Sequence, residues 1–143
     1  MTEQTEHKID RSSWTSGPWD NEPDKINWTD PATGMACMIV RNYYGQLCGY
    51  VACPEGHPAY GKSYNEVDAD VHGGLTYAAA CQGHICHVPE PGSPDNVWWL
   101  GFDCGHFSDA GPRSDPLFGG TYRDVAYVTA ECTKLAAQLN VPV

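Results

Sequence analysis

An α+β fold is what this sequence predicts: a small, mostly antiparallel sheet of about four or five strands, one C-terminal helix packed on it, and long loops. Three observations point there. Two apolar runs of strand length, Ala36 to Arg41 and Gln46 to Cys53, are separated by N-Y-Y-G, an Asn- and Gly-bearing connection typical of a hairpin. A third run, V-W-W-L-G-F-D from Val97 to Asp103, alternates between two mostly apolar faces and so belongs inside the sheet. Finally, Val125, Val128, Cys132, Leu135 and Leu139 are spaced to lie on one side of a helix from 122 to about 139.

At 143 residues the chain has room for one domain with a real core. Residues 1 to 16 are polar and unpatterned and read as a disordered N-terminal tail, leaving 17–143 as a single globular domain. The formal charge of -10, from eight Lys and Arg against eighteen Asp and Glu, repels a phosphate backbone, so nucleic acid is excluded as the main partner. The same field attracts cations and basic protein surfaces. No run approaches the length that spans a bilayer, and M-T-E-Q-T-E-H-K-I-D has no apolar leader core; the expectation is a cytoplasmic protein without membrane contact. Seven cysteines, an odd number without an export signal, favour reduced thiols or metal ligands over a disulfide framework.

In chain order, G-P-W-D-N-E-P-D-K-I-N-W holds two prolines that forbid a regular helix, so it reads as an irregular arm pinned by Trp19 and Trp28. Glu22 on that arm is a candidate ligand-binding carboxylate; a solvated loop residue is the competing reading. Arg41, the one charge at the inner end of the hairpin, either clamps an anionic ligand bidentately or pairs with a buried carboxylate. Residues 54 to 65 form a long loop in which His57 reads as an exposed turn residue. V-H-G-G-L-T-Y-A, 71 to 78, is a strand candidate that carries His72, and its two glycines signal a close approach of something to the backbone.

C-Q-G-H-I-C-H-V-P, 81 to 89, brings Cys81, His84, Cys86 and His87 together, with Cys48 and Cys53 elsewhere, as weak candidates for a structural zinc site. P-G-S-P-D-N, 91 to 96, is a turn into the inner strand. That strand puts Trp98, Leu100, Phe102 and Cys104 on one face and Val97, Trp99, Gly101 and Asp103 on the other. Asp103, His106 and Asp109 are delivered at its end, where rigid support suits a reactive site. After an irregular connection, Thr121 and Asp124 fit a capping-box variant that opens the helix, with Asp124 itself favoured as a cap. Asp124 and Glu131 share one border of the apolar stripe, and Glu131 is placed either as a general base or as a salt-bridge partner of Lys134 or Arg41.

The segments G-P-W-D-N-E-P-D-K, R-N-Y-Y-G-Q-L-C-G-Y-V, G-H-P-A-Y-G, V-H-G-G-L-T-Y-A, W-W-L-G-F-D-C-G-H-F-S-D and Y-R-D-V-A-Y-V-T-A-E-C together resemble a family of small uncharacterised bacteriophage and prophage proteins. The resemblance spans roughly residues 17 to 139. It implies a phage or bacterial cytoplasmic setting with an accessory or counter-defence role, and it carries over Asp103, His106 and Asp109 as candidates. It implies no particular activity.

The residue types support two functions. In one, His72, Asp103 and His106 bind a divalent metal such as Zn2+ with an open position, Asp109 supports the site and Glu131 activates the bound water, which makes a metal-dependent hydrolase. In the other, the protein is a non-enzymatic binder or inhibitor. It then either sequesters a small anionic ligand or nucleotide signal through Arg41 and Glu22 with aromatic stacking, or blocks a host defence protein with its acidic surface. A third, purely structural reading makes Asp103, His72 and His106 a buried hydrogen-bond network.

Overall fold

The hairpin marked by N-Y-Y-G forms the middle of the sheet. The computed structural model describes residues 2–3, 9–82, 85, 96–106, 109–112 and 120–140. In it, strands β1 (Thr2–Glu3), β2 (Lys25–Thr29), β3 (Ala36–Arg41), β4 (Leu47–Pro54), β5 (Tyr77–Ala80) and β6 (Val97–Asp103) form one antiparallel sheet in the order β1-β2-β3-β4-β6-β5. Five of these strands are substantial and the first is a two-residue edge. A short parallel pair, β7 (Asp109–Ala110) with β8 (Thr121–Tyr122), stands apart from the sheet. Helix α1 (Val125–Leu139) crosses β4 and β3. The α+β expectation holds, with one helix on an open sheet.

Alternation along β6 sorts its side chains as the sequence indicates. Leu100, Phe102 and Cys104 join Ile39 and Val51 beneath the helix, where Val128, Cys132, Leu135 and Leu139 are buried. Each such apolar side chain contributes about 1.5–3 kcal/mol on burial. Gly49 lets the helix come this close, because a Cβ there would lie 2.7 Å from Cys132 Sγ and 2.5 Å from Phe102 Cζ. Val97 and Trp99 face the other way, into a second cluster with Met38, Val40, Cys48, Tyr50 and Ala52. β6 therefore has both faces covered, and β4 pairs with β3 on one side and β6 on the other.

Several local expectations are corrected. The arm is only half irregular: Pro18–Asn21 makes a 3-10 turn, and Lys25–Thr29 is a strand paired with β3. The N-terminal stretch is tied down where it is described. Thr2 and Glu3 pair with Asn27 and Ile26, Ile9 N–H donates to Asp24, and Arg11 donates to the carbonyls of Trp19 and Glu22. Residues 71 to 76 are a loop and not a strand, because Gly73 and Gly74 both take left-handed φ values, +68° and +81°. His57 is buried: its Nδ1 accepts from Ala59 N–H, so its Nε2–H donates to the carbonyl of Leu139 at 2.6 Å and closes the helix C-terminus. Thr121 lies in β8 and does not cap; Asp124 is the cap, accepting from Tyr127 N–H at 2.9 Å.

The cysteines divide into two groups. Cys37, Cys48, Cys53, Cys104 and Cys132 are free and buried, and burial pushes the thiols of Cys37, Cys48 and Cys53 up to about 12. With no metal bound, these three thiols remain protonated at neutral pH. Cys81 is disulfide-bonded, which departs from the expectation of reduced thiols and removes it from any zinc site. Cys86, His84, His87, His7 and the connections at 91–95 and 113–119 lie outside the described residues.

For Arg41 and Glu22 the structure shows ion pairing and not an open ligand clamp. The Arg41 side chain is 0% exposed. Nε donates to Asp24 (2.9 Å), one terminal amine to the Gly45 carbonyl (2.9 Å) and Tyr122 OH (2.8 Å), and the other to the Pro23 carbonyl (3.3 Å) and Glu22 (3.5 Å). All five N–H groups of the guanidinium are thereby used. Glu22 also accepts from Tyr122 OH at 2.5 Å and from Val125 N–H at 2.7 Å, so it fastens the arm to the first turn of the helix.

Two outcomes check this picture. Arg41→Ala leaves Asp24 and Glu22 without their common cation and lowers the unfolding free energy by about 3–5 kcal/mol, read from urea denaturation; a loss below 1 kcal/mol would contradict the pairing role. Alkylation in denaturant without reductant labels five cysteines, matching the free thiols, and reduction first raises the count to all seven. Seven labelled without reductant would show that no disulfide forms.

Candidate functional site

The residues singled out at the end of β6 do converge, along with a loop and the first two turns of α1. His72 lies in the loop before β5, and its backbone N–H donates to Glu131 Oε1 at 2.7 Å. Its imidazole is held at both nitrogens. Nε2 lies 2.9 Å from both carboxylate oxygens of Asp109, and Nδ1 lies 2.8 Å from Tyr127 OH.

Asp109 sets the direction of these bonds. Its side chain is 0% exposed and burial alone would raise its pKa. Hydrogen bonds from His72, Arg123 Nε (3.0 Å) and His106 N–H (3.0 Å) outweigh that and leave it below the usual carboxylate value. An ionised carboxylate only accepts, so Nε2 of His72 carries the proton and, in the neutral imidazole, Nδ1 accepts from the Tyr127 phenol. Burial and the charge of Glu131 push Tyr127 up, which keeps the phenol protonated and able to donate. The result is a line of hydrogen bonds, Asp109–His72–Tyr127, running from a buried charge to a partly exposed tyrosine.

Asp103 and His106 make a second pair beside the first. His106 Nε2 stands 3.4 Å from Asp103 Oδ1, without the alignment of a hydrogen bond, and is shielded from solvent. The side chain as a whole is 35% exposed, so its exposure lies on the rest of the ring. Asp103 is oriented by Thr76 OH (3.0 Å) and Gly105 N–H (3.1 Å). The two imidazoles are 5.7 Å apart between ring centroids. This juxtaposition explains Gly73: a Cβ there would sit 2.1 Å from His106 Nε2, so the close approach that the paired glycines signal is that of a histidine.

Glu131 holds the His72 loop by its backbone, with Lys134 4.0 Å from its second oxygen; among the described residues it does not reach Arg41. Of the three candidate metal ligands, Asp103 and His106 adjoin, while His72 already uses both ring nitrogens. Among the described residues no three His, Cys, Asp or Glu side chains are arranged to hold a metal ion. Asp103 and His106 are the pair to which a divalent cation would add.

Two residues of the site were not singled out by sequence reasoning. Tyr127 completes the line, and Arg123 both pairs with Asp109 and lies over the Tyr127 ring, 4.8 Å from its centroid. Arg123, just before the cap, and Tyr127 and Glu131 on the helix recur every four residues, a row leading along the helix border, and that spacing is the signal that could have found them. No protein-family model matches the chain, and no curated protein or solved structure shows significant similarity to it. No helix among the described residues is long and apolar enough to cross a membrane.

The buried carboxylates give the site a definite acid response. Asp109 and Asp24 both titrate below the ordinary value of 3.8. For Asp24, burial raises the carboxyl, but the Ile9 N–H and the two arginines more than offset it. A group depressed in the folded state stabilises above its unfolded pKa, and that contribution is lost as pH falls through the folded pKa. The urea midpoint is expected to stay level from neutral pH to about pH 5 and to fall as pH drops below about 4. Asp109→Asn should lose about 1.5–3 kcal/mol at pH 7 and show a shallower acid decline. A variant as stable as the parent at pH 7, with the same acid slope, would show that Asp109 carries no such charge.

Proposed function

We propose that this protein is a small bacteriophage-type accessory hydrolase that acts in the cytoplasm, with Tyr127 as its nucleophile. The observation that carries the reading is the line Asp109–His72–Tyr127. It has the logic of a nucleophile, base and orienting acid triad, with a phenol at the reactive end.

In this reading Tyr127 Oη attacks an acyl or phosphoryl centre and passes its proton to His72 Nδ1. The imidazolium that forms is stabilised by the buried Asp109 carboxylate, and the proton then goes to the leaving group as its bond breaks. Asp103 and His106 serve the second half. A water gives its proton to His106 and attacks the Tyr127 ester; as the bond to Tyr127 Oη breaks, His106 returns that proton by way of solvent to the phenolate, restoring the phenol. The loose Asp103–His106 contact is of the kind that tightens when substrate fills a site. Glu131 is a positioning residue that holds the His72 loop.

A second reading, a non-enzymatic inhibitor of a host protein, has its own observation. Tyr43 and Tyr44 stand exposed at 68% and 64% on the tip of the β3–β4 hairpin, edge to face at 5.5 Å. Exposed aromatics of this kind anchor protein interfaces.

The test uses p-nitrophenyl acetate and p-nitrophenyl phosphate as acyl and phosphoryl probes. One of them should give a burst of nitrophenolate and a covalent adduct on Tyr127 by mass spectrometry. Tyr127→Phe should remove the adduct and slow turnover at least about a hundredfold. Full turnover in that variant would end the nucleophile reading. Turnover lost to a chelator and restored by Zn2+ would transfer the chemistry to a metal-assisted hydrolase at Asp103 and His106. Inertness to both probes, with capture of a host protein that is lost in Tyr43→Ser and Tyr44→Ser, would favour the inhibitor.

A further inference from the structure

We infer that Arg123 forms an oxyanion-binding subsite and that the protein's ligand carries a carboxylate or phosphate group; this rests on the hydrolase reading of the same site. Arg123 differs from Arg41 in what its guanidinium leaves unused. Arg41 is wholly buried with all five N–H groups bonded to protein. Arg123 is 22% exposed, and only its Nε is engaged, by Asp109 Oδ1 at 3.0 Å. Among the described residues its two terminal amines make no hydrogen bond.

The half that is engaged fixes the half that is not. A guanidinium is planar, so tying Nε to a buried carboxylate fixes one edge, and packing Cζ over the Tyr127 ring at 4.8 Å fixes the plane. The terminal amines are thereby presented as a rigid fork, the geometry that takes two oxygens of a carboxylate or phosphate at once. Little rotamer freedom remains to be lost on binding. The fork lies over the same tyrosine whose hydroxyl ends the hydrogen-bonded line from Asp109, so an anionic group held there stays beside the nucleophile.

Charge makes the device necessary. A chain with a net charge of -10 repels anions over most of its surface, and an anionic substrate needs a local, directed cation. In the sequence this role falls to Arg41; in the structure Arg41 is consumed internally, and Arg123 has the free donors.

The test is a titration of the resting protein with inorganic phosphate and with sodium acetate at constant ionic strength, followed by the 15N–1H signals of Arg123 Nε and of the backbone at residues 72–74 and 123. Saturable shifts at these positions are expected with at least one anion. Arg123→Gln should weaken that binding at least about tenfold. Arg123→Lys retains a cation for Asp109 if the glutamine variant fails to fold, and should also bind more weakly because an ammonium lacks the fork. Saturation by phosphate alone assigns a phosphoryl group, by acetate alone a carboxylate, and by both a general oxyanion site. Shifts that never saturate, or binding unchanged in a folded Arg123 variant, would overturn the subsite.

The binding readout needs no turnover, so the two proposals fail separately. A saturable Arg123 site in a protein that forms no Tyr127 adduct keeps the subsite and removes the triad. A Tyr127 adduct in a protein that binds neither anion does the reverse.

Discussion

The buried guanidinium of Arg41 is the constraint around which the rest is arranged. A charge with 0% exposure is tolerated only when its desolvation is offset by full hydrogen bonding. Meeting five donors recruits groups from distant parts of the chain. Asp24, Glu22 and the Pro23 carbonyl come from the arm, the Gly45 carbonyl from the hairpin turn, and the Tyr122 hydroxyl from the segment before the helix. Once those partners are in place the arm, the hairpin and the helix entrance have one arrangement relative to each other. The same cation thus does for the polar end of the sheet what the apolar stripe does for its covered face.

A second buried charge, Asp109, does the equivalent work for the site, and the two networks meet in adjacent residues. Tyr122 bonds to Arg41 and Glu22, and Arg123 bonds to Asp109. β8 carries Tyr122 and pairs in parallel with β7, which begins at Asp109. Glu22 then accepts from Val125 N–H, and Asp124 from Tyr127 N–H. The first turn of α1 is therefore fixed from two sides, and Tyr127 is set against His72 by backbone restraints as well as by its own hydroxyl. Glu131 completes the arrangement by holding the His72 loop one turn further along the helix. His72, Asp109 and Tyr127 are each positioned by partners that are themselves bonded, which is how a fold keeps a reactive geometry rigid.

Much of the fold is legible in the sequence because apolar periodicity reports burial directly. The faces of β6, the hairpin at N-Y-Y-G and the stripe from Val128 to Leu139 all read correctly, since each is set by side chains within one element. The failures share a cause. β2 was hidden because K-I-N-W-T is interrupted by polar residues, and its strand state comes from pairing with Ala36 to Val40. The 71–76 segment reads as a strand by composition, yet the left-handed φ of Gly73 and Gly74 turns the chain there, and the closeness of His106 to Gly73 leaves no room for a Cβ. His57 looks like a turn residue because its acceptor, the Leu139 carbonyl, lies 82 residues away.

For the candidate site the sequence determined the chemical inventory: Asp103, His106 and Asp109 at the end of a buried strand, His72 beside paired glycines, and Glu131 on the helix border. Those residue types at strand and helix ends follow from local pattern. Only the tertiary structure decided which of them bond to which. It paired Asp109 with His72, committed Arg41 to Asp24 and Glu22, and brought in Tyr127 and Arg123. The reason is physical: a buried charge is satisfied by whichever donors the folded chain brings within about 3 Å, and that proximity between residues far apart in sequence is not encoded in the spacing of any one segment.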